Sequence, residues 1–290
     1  MLSRRTVVLG SLPVPLLPLT ASVAAASNPF AAIERRHGGR LGVFVHDLGT
    51  GRTLGHRDQE RFKLYSIFKG LLAGLVLADV AAGAETLDAM VRYGAGDLLD
   101  ASPITSARVG EGALSVRTLC EAMMHRSDNA AANLLMRRRG GPARLTAFLR
   151  RIGDRQTRVD HYEGALSGKP LPLDSTAPRA LVGSAAALIT GRILPEEQRL
   201  LLEQWLIGNQ VGSTRLRAAF PQGWVSGDRT GTGDGICNDY AFARRPGRGL
   251  LVVSALYEAP GMSMADQEAV LREVGREVVH WDDMRDARRS

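Results

Sequence analysis

The stretch Leu64-Tyr65-Ser66-Ile67-Phe68-Lys69-Gly70-Leu71-Leu72-Ala73-Gly74-Leu75-Val76-Leu77 decides how the rest of the chain is read. It sets a hydroxyl and an amine three residues apart, at the head of a run apolar enough to be a buried helix. Residues i and i+3 share a helix face, so Ser66 Oγ and Lys69 Nζ can come within hydrogen-bond reach. A lysine desolvated by such packing loses basicity and can take a proton from the serine. A helix that starts near Ser66 also turns its free N–H groups and positive dipole end toward negative charge developing there. A serine nucleophile for acyl transfer needs these features. A plain helix start followed by a solvated lysine would show the same four residues, and periodicity alone favours that plainer reading.

The chain has 290 residues, 44% of them hydrophobic and 23% charged, which suits a globular protein with a large core in one or two domains. Beyond the N-terminus no stretch is long and apolar enough to cross a bilayer. At the N-terminus, Arg4-Arg5 precede an apolar segment from Val7 to Leu19 and the small-residue tract Ala21-Ser22-Val23-Ala24-Ala25-Ala26. That is the layout of a secretory signal over residues 1–26, cleaved near Ala26. It is either a twin-arginine signal or an ordinary one whose basic region happens to be Arg-Arg. With no cysteine after the apolar segment to carry a lipid, the expectation is an exported protein, periplasmic or secreted, and free of the membrane after cleavage.

The net charge of +7 becomes +5 once Arg4 and Arg5 are removed. The arginines are scattered (Arg137-Arg138-Arg139, Arg150-Arg151, Arg244-Arg245) and not gathered on a stripe with aromatics, which argues against a nucleic-acid partner. Cys120 and Cys237 are the only cysteines and cannot make a disulfide framework; Cys120, inside an apolar helical pattern, is expected to be a buried thiol. The six histidines lack any His-x-His or His-Glu-x-x-His spacing, so no catalytic zinc, other metal or cofactor is expected.

Along the chain, Asn28-Pro29 reads as the cap and first turn of a short helix through Ile33. Leu41, Val43 and Val45 alternate up to Asp47-Leu48-Gly49-Thr50-Gly51, and Arg52-Thr53-Leu54 returns as the second strand of a hairpin. Gly83 marks the end of the helix that begins near Ser66. From Asp97 to Gly208 the pattern is helical, with Ser115 as a cap, segments from Ala130 to Arg138 and from Pro142 to Ile152, and Pro178 and Pro195 in the first turns of two more. Within it, Asp154 to Ala177 has no periodicity, and a loop of that length in a compact domain is usually functional. After Gly208 come strands at Trp224 to Asp228, Asp239 to Ala243 and Leu250 to Tyr257, then an amphipathic helix with Val270, Leu271, Val274 and Val278. The expected fold is α/β (α+β): an antiparallel sheet flanked by N- and C-terminal helices, with an all-helical domain inserted. The sheet domain comprises residues 27–60 and 209–290, and the helical domain residues 61–208.

Ser66-x-x-Lys69 is followed sixty-one residues on by Ser127-Asp128-Asn129, and later by Arg229-Thr230-Gly231-Thr232-Gly233. Taken in this order, the three resemble the signature of class A β-lactamases and penicillin-binding proteins. The resemblance to class A β-lactamases runs from about Leu41 to the C-terminal helix. It is dense at Ser102-Pro103-Ile104-Thr105, from Ser127 to Leu135, at Gly140-Gly141-Pro142 and at Ile152-Gly153-Asp154. It implies a β-lactamase/transpeptidase-like fold and a monomeric serine hydrolase that opens the β-lactam ring of a small-molecule substrate and confers antibiotic resistance. Ser66 would attack the carbonyl. Lys69 would relay or remove its proton, Lys and Glu163 being disputed as the acylation base. Ser127 would pass a proton to the departing nitrogen, Asn129 would hold the substrate's side-chain amide, and the N–H groups of Ser66 and Thr232 would form the oxyanion hole.

In the family, a Glu in a segment Arg-x-Asp-x-x-Glu-x-x-Leu-Asn activates the deacylating water. Arg158, Asp160, Glu163 and Leu166 match it, and Arg158 would pair with Asp174 to close the loop. Glu163 distinguishes a hydrolase from a penicillin-binding receptor or sensor acylated without turnover, and from a D,D-peptidase. Four departures stand out. Ser167 replaces the Asn that helps hold the water, and the loop from Glu163 to Asp174 is about two residues short. Ala101 stands where an aromatic commonly walls the site. Arg229 replaces Lys in the third motif, with Thr230, Gly231 and Thr232 completing the expected substrate seat. Arg215 falls where some members carry a second carboxylate-binding Arg, though a solvated basic residue is an equal reading.

Overall fold

A computed structural model describes residues 28–165 and 170–284; the expected signal segment, Leu166 and Ser167 lie outside them. Asn28 begins the described chain as a helix cap, its side chain accepting from Phe30 N at 3.0 Å, with Pro29 in the first turn of α1 (Pro29–His37). The helix runs four residues past the expected Ile33, to His37, with Gly38 as its cap. The hairpin follows as β1 (Arg40–Asp47) and β2 (Thr53–His56). Next come β3 (Phe62–Lys63), a 3-10 turn at Tyr65–Ile67, and α2 (Phe68–Ala81), which stops before the left-handed Gly83.

The middle of the chain forms β4 (Met90–Arg92), α3 (Pro103–Ala107), β5 (Ala113–Ser115), α4 (Val116–His125), α5 (Asn129–Arg138), α6 (Gly141–Arg151), β6 (Ser175–Thr176), α7 (Pro178–Ile189) and α8 (Glu196–Ile207). Then come β7 (Val225–Gly233), β8 (Ile236–Arg244), β9 (Leu250–Glu258) and α9 (Met264–Asp283). Two departures from the sequence reading appear here. The stretch read as helical contains β5 and β6, which pair with β4 and β3 in separate two-stranded sheets too short for alternation to show. The strand expected to end at Asp228 continues through the whole Arg229 to Gly233 motif.

The main sheet has the order β2-β1-β9-β8-β7, every pair antiparallel. Alternate residues on a strand point to opposite faces, and here both faces are covered. Leu41, Val43, Val45, Ala241, Val253 and Ala255 meet Phe30 and Ile33 of α1 and Val270, Leu271, Val274 and Val278 of α9. Phe44, Tyr240, Phe242, Val252 and Leu256 face the other way, into a core shared with α2 and α4 to α8. At the centre of that second core lies α2, with every residue from Phe68 to Leu77 buried. A helix apolar all round belongs inside a protein, so the position of Lys69 within it is costly unless its charge finds partners. Gly70 lets α2 lie against the sheet: a Cβ there would stand 1.9 Å from the Tyr240 hydroxyl. Cys120 is buried, as its helical pattern suggested, and Cys237 is buried too.

Candidate active site

Four segments converge on one cleft of about 460 Å³, among whose lining residues are Ser66, Ser127, Asn129, Glu163, Arg215, Thr230 and Thr232. The 3-10 turn leading into α2 brings Ser66, and the first turn of α2 brings Lys69. The α4–α5 turn brings Ser127 and Asn129, the edge strand β7 brings Arg229 to Thr232, and the loop after α6 brings Glu163. Strand β7 approaches closely because Gly231 has no side chain; a Cβ would sit 2.7 Å from the Leu64 carbonyl oxygen. Asn238, buried in β8, donates to the Lys63 carbonyl at 2.8 Å and so ties the sheet to the segment before Ser66.

Lys69 is wholly buried, and its ammonium is surrounded by oxygens. It reaches Ser66 Oγ at 2.9 Å, Ser127 O at 2.7 Å, Ser127 Oγ at 3.2 Å, Asn129 Oδ1 at 2.6 Å and Glu163 Oε1 at 2.9 Å. Burial pushes its pKa down from the usual lysine range to about 8, opposed by the Glu163 carboxylate and reinforced by the Arg229 cation. Ser66 Oγ, which accepts from Lys69, donates to Glu163 Oε1 at 2.9 Å. Arg229 is fully buried, which lowers it to about 10, and donates from Nη2 to Ser127 Oγ at 2.7 Å. A single connected path therefore runs from Glu163 through Ser66 and Lys69 to Ser127 and Arg229.

The turn carrying Ser127 is held by Asp128, which is buried and accepts four hydrogen bonds at 2.9 Å: from Ile104 N, Thr105 N, Thr105 Oγ1 and Ala131 N. The last of these caps α5, and the others fasten α3 to the turn. Tyr65, Ala101 and Ser127, all lining the cleft, have left-handed backbones with φ of 46°, 55° and 58°. Strain of about 1–3 kcal/mol at such residues persists only where surrounding contacts fix it. At Ala101 and Ser127 those contacts include Asn129 N donating to Ala101 O at 3.1 Å and the Asp128 bonds.

Glu163 is positioned by a residue to which the sequence reading gave no role. Asn133 Oδ1 accepts from Glu163 N at 2.9 Å, and its Nδ2 donates to Glu163 O at 3.1 Å. Asn133 lies four residues after Asn129 on α5, hence on the same helix face, and that spacing was a usable signal. The expected Arg158–Asp174 pair is not formed. Arg158 pairs with Asp160 instead, at 2.5 Å from Nη2. Asp174 is occupied by the N–H groups of Asp160 and His161, at 2.7 and 3.0 Å, and by His161 Nδ1 at 2.5 Å. The loop closes through this carboxylate, with backbone donors where a guanidinium was expected.

Arg215 is 3% exposed, so the solvated reading of it does not hold. It donates to Thr232 Oγ1 at 2.7 Å and Asn238 O at 2.9 Å, and pairs with Glu268 at 3.2 Å. Among the described residues no group of three or more His, Cys, Asp or Glu side chains is placed to hold a metal ion.

Residues 25–281 match the model of the beta-lactamase enzyme family. The chain is 39% identical over 274 residues to the beta-lactamase AST-1 of Nocardia asteroides, covering 93% of this chain and 88% of that one. It is 41% identical over 282 residues to the carbapenem-hydrolyzing beta-lactamase KPC of Klebsiella oxytoca, covering 95% and 96%. Among solved structures, a beta lactamase from Burkholderia vietnamiensis superposes with a TM-score of 0.88 at 49% identity, covering 91% of this chain and 98% of that one. Over nearly its whole length, then, the chain belongs to the beta-lactamase enzyme family, as a class A serine hydrolase of β-lactam amides.

Proposed function

We propose that the hydrolysis passes through an acyl-enzyme on Ser66, with Glu163 as the base in both halves of the reaction. The observation behind this is that Ser66 Oγ donates to Glu163 Oε1 at 2.9 Å while accepting from Lys69 Nζ at 2.9 Å. With a pKa of about 8, Lys69 is largely cationic at neutral pH and acts as a donor, which leaves the carboxylate as the acceptor in line for the serine proton.

In acylation, Ser66 Oγ bonds to the lactam carbonyl carbon and its proton passes to Glu163. The carbonyl electron pair collects on oxygen, facing the N–H groups of Ser66 and Thr232; an oxyanion donor is typically worth about 2.7–4 kcal/mol. Collapse breaks the C–N bond. Ser127 gives its proton to the ring nitrogen and is reprotonated by Lys69, which recovers the proton held by Glu163. The 3.2 Å and 2.9 Å contacts of Lys69 with Ser127 Oγ and Glu163 Oε1 support this relay. Glu163, ionised again, then takes a proton from water as the water oxygen attacks the ester, and returns it to Ser66 Oγ as that leaves.

Asn129 would hold the substrate's side-chain amide, and Arg215, Arg229, Thr230, Gly231 and Thr232 would seat its carboxylate. Ser167, shorter than Asn, would hold the deacylating water less firmly, so deacylation is expected to limit turnover. The same reading takes residues 1–26 as an export signal and the mature protein as a monomer, periplasmic or secreted. Its helical unit (61–208) and sheet unit (27–60 with 209–290) would meet at the cleft.

The test compares wild type with Ser66→Ala on a chromogenic cephalosporin. The wild type is expected to turn over, and Ser66→Ala to lose several orders of magnitude while keeping its unfolding temperature. Substantial hydrolysis by Ser66→Ala, with no mass adduct on the wild type from a slow β-lactam, would place the nucleophile elsewhere. A single equivalent of product from the wild type would favour the receptor reading.

A further inference from the structure

We propose that Arg126 is a specificity-determining residue that captures the substrate's carboxylate at the mouth of the cleft, before the anion reaches its seat; this rests on the β-lactam reading above. Arg126 stands at the C-terminal end of α4, one residue before Ser127, with its N–H bonded to Ala122 O at 3.1 Å. Its side chain is exposed and lines the cleft alongside Ser127 and Val211. The mouth has a fixed geometry there, because Gln210 N donates to His125 O at 3.0 Å and holds the segment carrying Val211 against the end of α4.

The three cleft-side guanidinium groups differ in what they are free to do. Arg229 is fully buried and turned to Ser127 Oγ. Arg215 is almost as buried and is committed to Thr232, Asn238 and Glu268. Arg126, by contrast, makes no side-chain hydrogen bond or ion pair among the described residues. On its outer side a shallow pocket holds Glu121 and Arg108, the latter already paired with Glu111 at 2.7 Å. An incoming anion therefore meets a free guanidinium, whose planar fork matches a carboxylate.

An exposed cation of this kind acts within a Debye length of about 8–10 Å and is screened by salt. It assists encounter and weak binding more than chemistry. The chemical class it selects is the anionic β-lactam, and its contribution belongs to kcat/KM and not to kcat.

The experiment measures kcat and kcat/KM for wild type, Arg126→Gln and Arg126→Lys on an anionic penicillin between low and high salt. At low salt Arg126→Gln is expected to lower kcat/KM by about two- to five-fold, the range of one exposed ion pair, with kcat unchanged and the gap closing as salt rises. Arg126→Lys is expected to stay near wild type. An unchanged kcat/KM in Arg126→Gln, or an equal loss of kcat and kcat/KM at every salt concentration, would overturn the proposal. Absence of turnover in the wild type would instead overturn the hydrolase reading beneath it, so the two failures are distinguishable.

Discussion

Asp128 offers a sharp test of how the catalytic turn is held, through the substitution Asp128→Asn. One carboxylate oxygen accepts from the N–H groups of Ile104 and Thr105, and the other from Ala131 N and Thr105 Oγ1. An amide has one acceptor oxygen, and its least costly orientation keeps that oxygen toward Ile104 N and Thr105 N; the NH2 then faces the Thr105 hydroxyl, which can turn to accept, and Ala131 N, which cannot, so one bond is lost outright. A hydrogen bond to a charged group is worth about 1.5–3 kcal/mol, which puts the cost at about 1.5–3 kcal/mol. That is a large share of the roughly 5–15 kcal/mol by which a domain is stable. At about 2–4 °C per kcal/mol for a chain of this size, the unfolding temperature should fall by at least about 3 °C. Ser127 and Asn129 flank this residue, so kcat/KM measured well below the transition should fall as well. The assay is thermal unfolding followed by circular dichroism, paired with steady-state kinetics at low temperature. An Asp128→Asn protein that melts within about 2 °C of wild type would refute the reasoning and show that packing alone holds the turn.

Three further outcomes are expected. Lys69, lowered to about 8 by burial, must keep its proton to relay it to Ser127, so kcat/KM should fall as pH rises through about 8; a neutral Lys69 acting as the base would make it rise instead. Arg229→Lys keeps the charge and should be mild. Arg229→Ala removes the 2.7 Å donor to Ser127 Oγ and should cost about 10- to 150-fold in kcat/KM; equal kinetics for the two variants would show that the cation is dispensable. Arg215→Ala frees Thr232 and strips Glu268 of its partner, and should lower both the unfolding temperature and kcat/KM for penicillins; unchanged KM and kcat would remove Arg215 from the substrate seat.

Much of this architecture could be read from local signals. Ser66 and Lys69 stand out because an apolar run follows them, and Asn28-Pro29, Gly83 and Ser115 punctuate helices as their chemistry requires. What stayed hidden depends on contacts distant in sequence. The burial of Arg215 is set by Thr232, Asn238 and Glu268, from β7, β8 and α9, and no local pattern around an arginine reports that. Which carboxylate Arg158 meets could not be told from spacing either, because backbone N–H groups had already claimed Asp174. Strand β7 runs to Gly233, but from sequence it reads as ending at Asp228, because glycines at 231 and 233 leave no alternation to see. The same missing side chain at Gly231 is what brings the strand against the Ser66 segment.

In the proposed mechanism Glu163 is the base that frees the acyl-enzyme. Glu163→Gln keeps the side chain's size and an acceptor for Ser66 but removes its ability to take a proton. It also removes the charge that opposes the effect of burial on Lys69, so more of that lysine becomes neutral and can take over acylation, whereas among the described residues lining the cleft there is no other carboxylate to act on water. The decisive measurement is the intact mass of Glu163→Gln over minutes of exposure to a penicillin, with hydrolysis followed in parallel. The expected result is a persistent adduct of one whole penicillin, because the opened ring stays attached, and a steady rate reduced by about 10²–10⁴-fold, the usual worth of a general base. Wild-type steady turnover with no adduct would contradict the account.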